Sequence, residues 1–239
     1  AQSPSTPPSD SESTKHDDSK PFFRFGSVIS QTAQKTSFTP QLLFIITVIT
    51  VFRTGAIQTL AENESLTWLG YLRGWTFAIP LLAILLFHEF GHYIAARLHK
   101  VPASLPHFIP FPWSPFGTMG AIIGMKGRIA SRKALLDIGA AGPLAGLFVT
   151  IPVLFIGLRL SPILPLSGDG MQEGQSLLYW LLKRIAVGPI PEGHDVFLHP
   201  VAFAGWAGLF LTMINLLPVG QLDGGHVAIL AIEGAVRRD

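Results

Sequence analysis

The sequence predicts an all-α polytopic membrane protein of about four transmembrane helices, with a short β-strand or hairpin at the membrane surface. Three observations predict it. Only 13% of the 239 residues are charged, against about 25% in an average soluble domain. Hydrophobic residues make up 49% of the chain, and they collect in runs rather than spreading evenly. Several of those runs reach the roughly 20 residues that an α-helix needs to cross a bilayer. The chain has no cysteine, which excludes a disulfide scaffold, a thiolate zinc site, an iron–sulfur cluster and a thiol nucleophile. Its 17 Lys and Arg stand against 15 Asp and Glu, a net charge of only +2, so nothing supports a nucleic-acid partner.

The first 20 residues are rich in Ser, Thr, Pro and charge and contain no Leu, Ile, Val or aromatic residue. That composition predicts a disordered, solvated tail, extending over 1–37. The membrane-embedded domain then runs over 38–236. Its first apolar segment, about 38–60, is interrupted by Arg53. The second, about 75–98, is apolar until His88, Glu89 and His92 enter its last third. The third, about 134–158, carries Asp137 near its start and then Gly139, Gly142 and Gly146, which allow a neighbouring helix to come close. The fourth, about 200–222, runs into Asp223-Gly224-Gly225, where Pro218 and the glycines predict a broken helix end.

The connections carry further signals. The stretch 97–133 holds six basic residues, Arg97, Lys100, Lys126, Arg128, Arg132 and Lys133, and no acid. The positive-inside rule therefore places it on the cytoplasmic or topologically equivalent side. Alternation puts the tail and Arg237-Arg238 on that same side, and the 61–74 and 159–199 connections opposite. Prolines 102, 106, 110, 112 and 115 exclude a regular helix through the first half of 101–130. Residues 118–129 predict a strand or hairpin at the membrane surface, able to hold an extended peptide along its edge. An amphipathic piece is expected over 175–187.

The sharpest local signal is His88-Glu89-Phe90-Gly91-His92. Histidines at i and i+4 lie ~40° apart around a helix and ~6 Å apart along it, so both imidazoles reach one side. They can bind one Zn²⁺ while Glu89 acts on a metal-bound water as general base. Two His and a Glu at membrane depth are costly, and such residues are functional by default. An open zinc site uses three protein ligands, and the candidates for the third are Asp137, Asp223, His226 and His107. Asp223 closes a segment running in the same direction as the one that carries His88 and His92, and so reaches their depth and side. Asp137 lies on that side too, where it also suits a cap or solvated position at a helix start. His226 and His107 suit surface or ligand-supporting places. Asn215 sits two turns before Asp223 in an apolar run, where its amide can serve substrate backbone, an oxyanion or another helix.

Together, HEFGH in one apolar helix and NLLPVGQLDGGH (215–226) at the end of another resemble the site-2 protease family, the intramembrane zinc metalloproteases of peptidase family M50. That family joins an HExxH to a distant Asn-x-x-Pro…Leu-Asp-Gly, places held here by Asn215, Pro218, Leu222, Asp223 and Gly224. The segments GTMGAI (117–122) and AAGPLAG (140–146) are most similar to the cyanobacterial and chloroplast branch. The resemblance covers about 75–236. It implies a three-helix catalytic core, zinc held by His88, His92 and Asp223, and Glu89 as the group that activates water. It also implies a transmembrane segment of another protein as substrate, and a bacterial plasma membrane or a thylakoid or other chloroplast membrane as location, with the zinc site towards the cytoplasmic or stromal side. No connection is long enough for the PDZ domain many relatives insert. The chain stops soon after 236, where relatives often continue into further helices, so a fragment is expected.

Other functional classes fit less well. A metalloprotease completed by a downstream helical Glu has only Glu173, Glu192 and Glu233 to draw on. A di-iron desaturase needs several histidine boxes, and 8 His, with only His194 and His199 suitably spaced, do not supply them. A zinc-binding transporter or inactive scaffold is the non-enzymatic alternative, disfavoured in the scaffold case by the intact Glu89. Oligomeric state has no sequence signal.

Overall fold

The computed structural model describes residues 39–60, 65–125, 131–166 and 173–217. The predicted polar tail, the 126–129 part of the strand candidate, and the segment carrying Asp223 and His226 lie outside the described residues.

Three helices are long and apolar enough to cross a membrane: α1 (Thr39–Gln58), α3 (Trp75–Leu98) and α4 (Arg132–Leu160). They answer to the first three predicted segments. Ser131 starts α4, its hydroxyl accepting the Ala134 N–H at 3.5 Å. The fourth segment is helical as α6 (Pro200–Asn215), 16 residues, short of the roughly 20 that a span requires. Pro200 opens it, where its missing N–H costs nothing, and the His199 ring accepts the Val201 N–H at 3.3 Å. A short helix absent from the sequence-based expectation, α2 (Trp68–Arg73), fills the end of the 61–74 connection. Thr67 caps it by accepting the Gly70 N–H at 3.1 Å.

Contacts at the two ends fix the directions of the helices. Phe77 near the start of α3 stacks on Phe203 near the start of α6 at 5.6 Å. Ser161, just past α4, accepts the His199 N–H at 2.9 Å. Gly74, the joint between α2 and α3, lies against the Phe52 carbonyl of α1, where a methyl group would overlap backbone. One end of the bundle therefore gathers the C-terminal ends of α1 and α4 with the N-terminal ends of α3 and α6. Val51, Phe77, Leu81, Leu85, Ala204, Ala207 and Leu211 form the apolar core between α1, α3 and α6.

The 101–125 connection departs from expectation. It holds an antiparallel pair, β1 (His107–Pro110) with β2 (Thr118–Ile122), so the strand within 118–129 pairs upstream rather than with itself. The pair does not lie apart on a surface. Phe108 meets Phe44 of α1 edge-on at 5.0 Å, and Phe116 lies 5.8–6.2 Å from the rings of Phe203, Trp206 and Phe210 on α6. Thr50 of α1 donates to the Gly117 carbonyl at 2.7 Å, and Gln58 to the Pro115 carbonyl at 3.1 Å. The aromatic residues among the prolines draw the segment in between α1 and α6. Irregular backbone at membrane depth is tolerated where protein covers it, and Thr118 serves the turn by donating to the Ile109 carbonyl and accepting the Gly120 N–H.

After α4 the chain forms β3 (Ile163–Pro165), paired with β4 (His194–Val196), and between them α5 (Leu177–Val187). This is the amphipathic piece expected at 175–187. Tyr179, Leu182, Ala186 and Val196 pack on Leu154 and Leu158 of α4. The buried Lys183 ammonium sits 3.1 Å from Glu173 and 3.0 Å from Asp195, and the Tyr179 hydroxyl donates to Glu173 at 2.6 Å. Burial, and then the facing Glu173 carboxylate, push the Tyr179 phenol far above its ordinary range. Burial opposes charge on Asp195 as well, but the Val196 N–H and the Lys183 ammonium outweigh it and hold the carboxyl below the usual range.

Candidate metal centre

His88, Glu89 and His92 are all buried, and the two histidines lie on the face of α3 turned towards α4. Their placement follows from close helix contact. Gly91 of α3 meets the Ala141 carbonyl and, at 2.9 Å from where a methyl carbon would sit, the Ala145 side chain. Opposite them on α4, Gly142 lies flat on the His92 ring, with no room for a methyl group, and Gly146 lies against His88, leaving 3.1 Å to its Nδ1. Two of the three glycines that announced close packing thus serve the two histidines directly. A Cβ at Gly142 would overlap the His92 ring at Nε2, and one at Gly146 would ask the His88 ring to give by a few tenths of an ångström.

The ring nitrogens have defined roles. His92 Nδ1 is 2.7 Å from the Ile138 carbonyl; a carbonyl only accepts, so Nδ1 carries the proton and Nε2 of the neutral ring presents a lone pair. That Nε2 lies 3.3 Å from His88 Nε2. The Asn215 amide nitrogen, at the end of α6, lies 3.3 Å from the same His88 Nε2. With the amide donating, His88 Nε2 is an acceptor as well. The two Nε2 atoms stand 3.3 Å apart, one helical turn from each other on α3. Two nitrogens each bound at 2.0–2.1 Å to a tetrahedral ion are about 3.3–3.4 Å apart. The pair therefore fits zinc.

Among the described residues no group of three or more His, Cys, Asp or Glu is assembled, and Asp223, the expected third ligand, lies outside them. The competing candidates are engaged elsewhere. Asp137 does not cap α4, a task taken by Ser131; its carboxylate binds His99 at 2.8 Å, tying the end of α3 to the start of α4. His107 opens β1, and Glu173 belongs to the Lys183 cluster. His194 and His199 lie in β4 and at the start of α6, at the other end of the bundle. Sequence reasoning missed Ile138, whose contribution is a backbone carbonyl and carries no side-chain signature. It missed His99 too, for which the charge-pair partner Asp137 was the available signal.

Residues 76–239 match the family model described as Peptidase family M50. The chain is 40% identical over 169 residues to the protein described as probable zinc metalloprotease EGY1, chloroplastic, of Oryza sativa subsp. japonica, covering 68% of this chain and 28% of that one. It is 40% identical over 168 residues to the EGY1 protein of Arabidopsis thaliana, with 66% and 30% covered. It is 35% identical over 154 residues to probable zinc metalloprotease EGY2, chloroplastic, of Oryza sativa subsp. indica, with 63% and 28% covered. The chain thus spans under a third of the length of these relatives. No solved structure matches it.

Proposed function

The chain belongs to peptidase family M50, and from that premise we propose that it is an intramembrane zinc metalloendopeptidase, cleaving peptide bonds within or near transmembrane segments of other membrane proteins. The observation that carries the reading is the His88–His92 pair, Nε2 to Nε2 at 3.3 Å, on a helix long and apolar enough to span a bilayer. The chloroplastic relatives support a thylakoid or other chloroplast membrane as location. The basic 97–133 connection supports a zinc site nearer the stromal or cytoplasmic face.

His88, His92 and Asp223 would hold the ion. Zinc so held supplies a Lewis acid for the scissile carbonyl and lowers the pKa of attacking water. Glu89, one residue from His88 and buried beside the pair, takes the proton from that water and returns it to the leaving amine. Ile138 fixes the His92 tautomer through its carbonyl. The Asn215 amide nitrogen lies 3.3 Å from His88 Nε2, where it would be placed to donate to a developing oxyanion. A helical substrate keeps its carbonyls in its own hydrogen bonds, so it unwinds before cleavage, and the β1–β2 pair offers an edge for the extended peptide.

The test is a Glu89→Gln protein assayed on a co-reconstituted single-span substrate alongside metal analysis. Cleavage falls by at least 10²–10⁴-fold, the usual contribution of a general base, while bound zinc stays at the wild-type level. Continued cleavage overturns the mechanism. Asp223→Ala loses zinc and Asp137→Ala keeps it; the reverse moves the third ligand.

A further inference from the structure

The end of the bundle remote from the histidine pair carries an open apolar collar. Its centre is α5. One side of this helix, Tyr179, Leu182 and Ala186, is buried on α4. The other side presents Leu177, Trp180, Leu181 and Ile185, from 46% exposed at Leu181 to 81% at Leu177, with Arg184 as the only charge among them. Lys183, on the polar side of α5, is taken up by Glu173 and Asp195. Beside it, Ile163, Leu164 and Leu166 of the β3 stretch are exposed, as are Ile156 and Leu160 at the end of α4.

Tryptophan distribution locates this collar. The chain has 5 Trp, and all lie towards this one end: Trp68 in α2, Trp75 opening α3, Trp113 in the β1–β2 turn, Trp180 in α5 and Trp206 in the second turn of α6. The first four of these are more than half exposed. Indole rings concentrate where hydrocarbon gives way to headgroups, and a helix apolar on its free side with a basic residue among the apolar ones lies in that layer.

We infer that α5, with the β3 stretch beside it and α2 at the same end of the bundle, docks into the headgroup–acyl boundary of the leaflet opposite the basic residues Arg97, Lys100, Arg132 and Lys133, with Arg184 meeting lipid phosphate. The occupant is lipid because the open face continues the exposed apolar surface of α4 at Phe148, Ile156 and Leu160, and because Arg184, whose acidic neighbour Asp195 is already paired with Lys183, complements an anionic headgroup. The inference rests on α4 crossing the bilayer, not on the protease reading.

The absence of cysteine makes the test direct. Single-cysteine variants Leu181→Cys and Ile185→Cys of the full chain, labelled with a polarity-sensitive fluorophore, are reconstituted in vesicles of equal parts phosphatidylcholine and phosphatidylglycerol. Both labels are expected to be quenched severalfold more by nitroxide on the lipid than by aqueous iodide. Gln175→Cys, just before α5, reports water, and Phe148→Cys, exposed in the middle of α4, reports lipid. Iodide-accessible labels on α5 with a lipid-quenched Phe148 label overturn the collar and leave the span intact. Water at both positions overturns both. Self-quenching on α5 that rises with the protein-to-lipid ratio overturns it in favour of contact between copies.

Discussion

Two buried polar constellations occupy opposite ends of this bundle, and they are built on opposite logic. Around Lys183, an ammonium lies within 3.1 Å of two carboxylates, and Tyr179 shares one of them; the charges cancel among side chains the protein itself supplies. Around His88 and His92, two imidazole nitrogens lie 3.3 Å apart, with the Ile138 carbonyl on His92 Nδ1 and the Asn215 amide 3.3 Å from His88 Nε2. The first cluster holds two pieces of chain together. The second has the nitrogen spacing of two imidazoles on one tetrahedral zinc ion. A buried polar group alone is therefore a poor marker of function, and the spacing of its donor atoms is a better one.

The contrast can be broken most decisively by truncation at each end. His92→Ala should abolish both zinc binding and cleavage of a reconstituted substrate, whereas Lys183→Met should keep one zinc per chain. Metal analysis of the two purified proteins checks this, and loss of zinc from the Lys183 variant would erase the distinction. The Lys183 variant should instead lose about 3 kcal/mol of stability, near the lower end for breaking a buried ion pair because water screens Asp195, seen as a lowered thermal midpoint in detergent. Gly142→Ala sharpens the metal side. A methyl group against the His92 ring should weaken zinc about 10–100-fold, the range for disturbing a ligand's support, measured by competition with a chelator.

The smallest expected effect is a pH dependence confined to the Lys183 end. Asp195 has a depressed pKa in the folded chain. Its contribution is therefore present above the ordinary carboxylate range and disappears as pH falls through that range and the lower folded value. Tyr179, shifted upward, contributes below the ordinary phenol range and loses that contribution as pH rises beyond it. Thermal midpoints across acid pH should fall less steeply for Asp195→Asn than for the wild type.

Much of the site was legible because HExxH is a local pattern: four residues of spacing on a helix suffice to bring two imidazoles together. The three long helices were legible from run length alone. The glycines of α4 announced close packing, but not that Gly142 and Gly146 would face histidine rings, since a small residue does not say what will lie on it. The β1–β2 insertion between α1 and α6 was hidden because prolines mark where a helix stops, not where the chain goes next. Asp137 misled for a similar reason. An acid near a helix start suits the dipole, yet a histidine from the preceding helix was nearer to hand.

For the proposed activity, the position of Trp75 at the head of α3 has a consequence for what cleavage would leave behind. His88 follows it by thirteen residues, about 20 Å along the helix. In a hydrocarbon layer of ~30 Å this leaves about 10 Å to the other face. A perpendicular substrate helix cut at that depth is divided unequally: roughly seven apolar residues go with one product and about thirteen with the other. On the proposed activity, the short stub would be too brief to stay in the bilayer as a helix, so that product would leave on the near side while its longer counterpart would keep most of the apolar segment. The place of the histidines along α3 would then set which product is released.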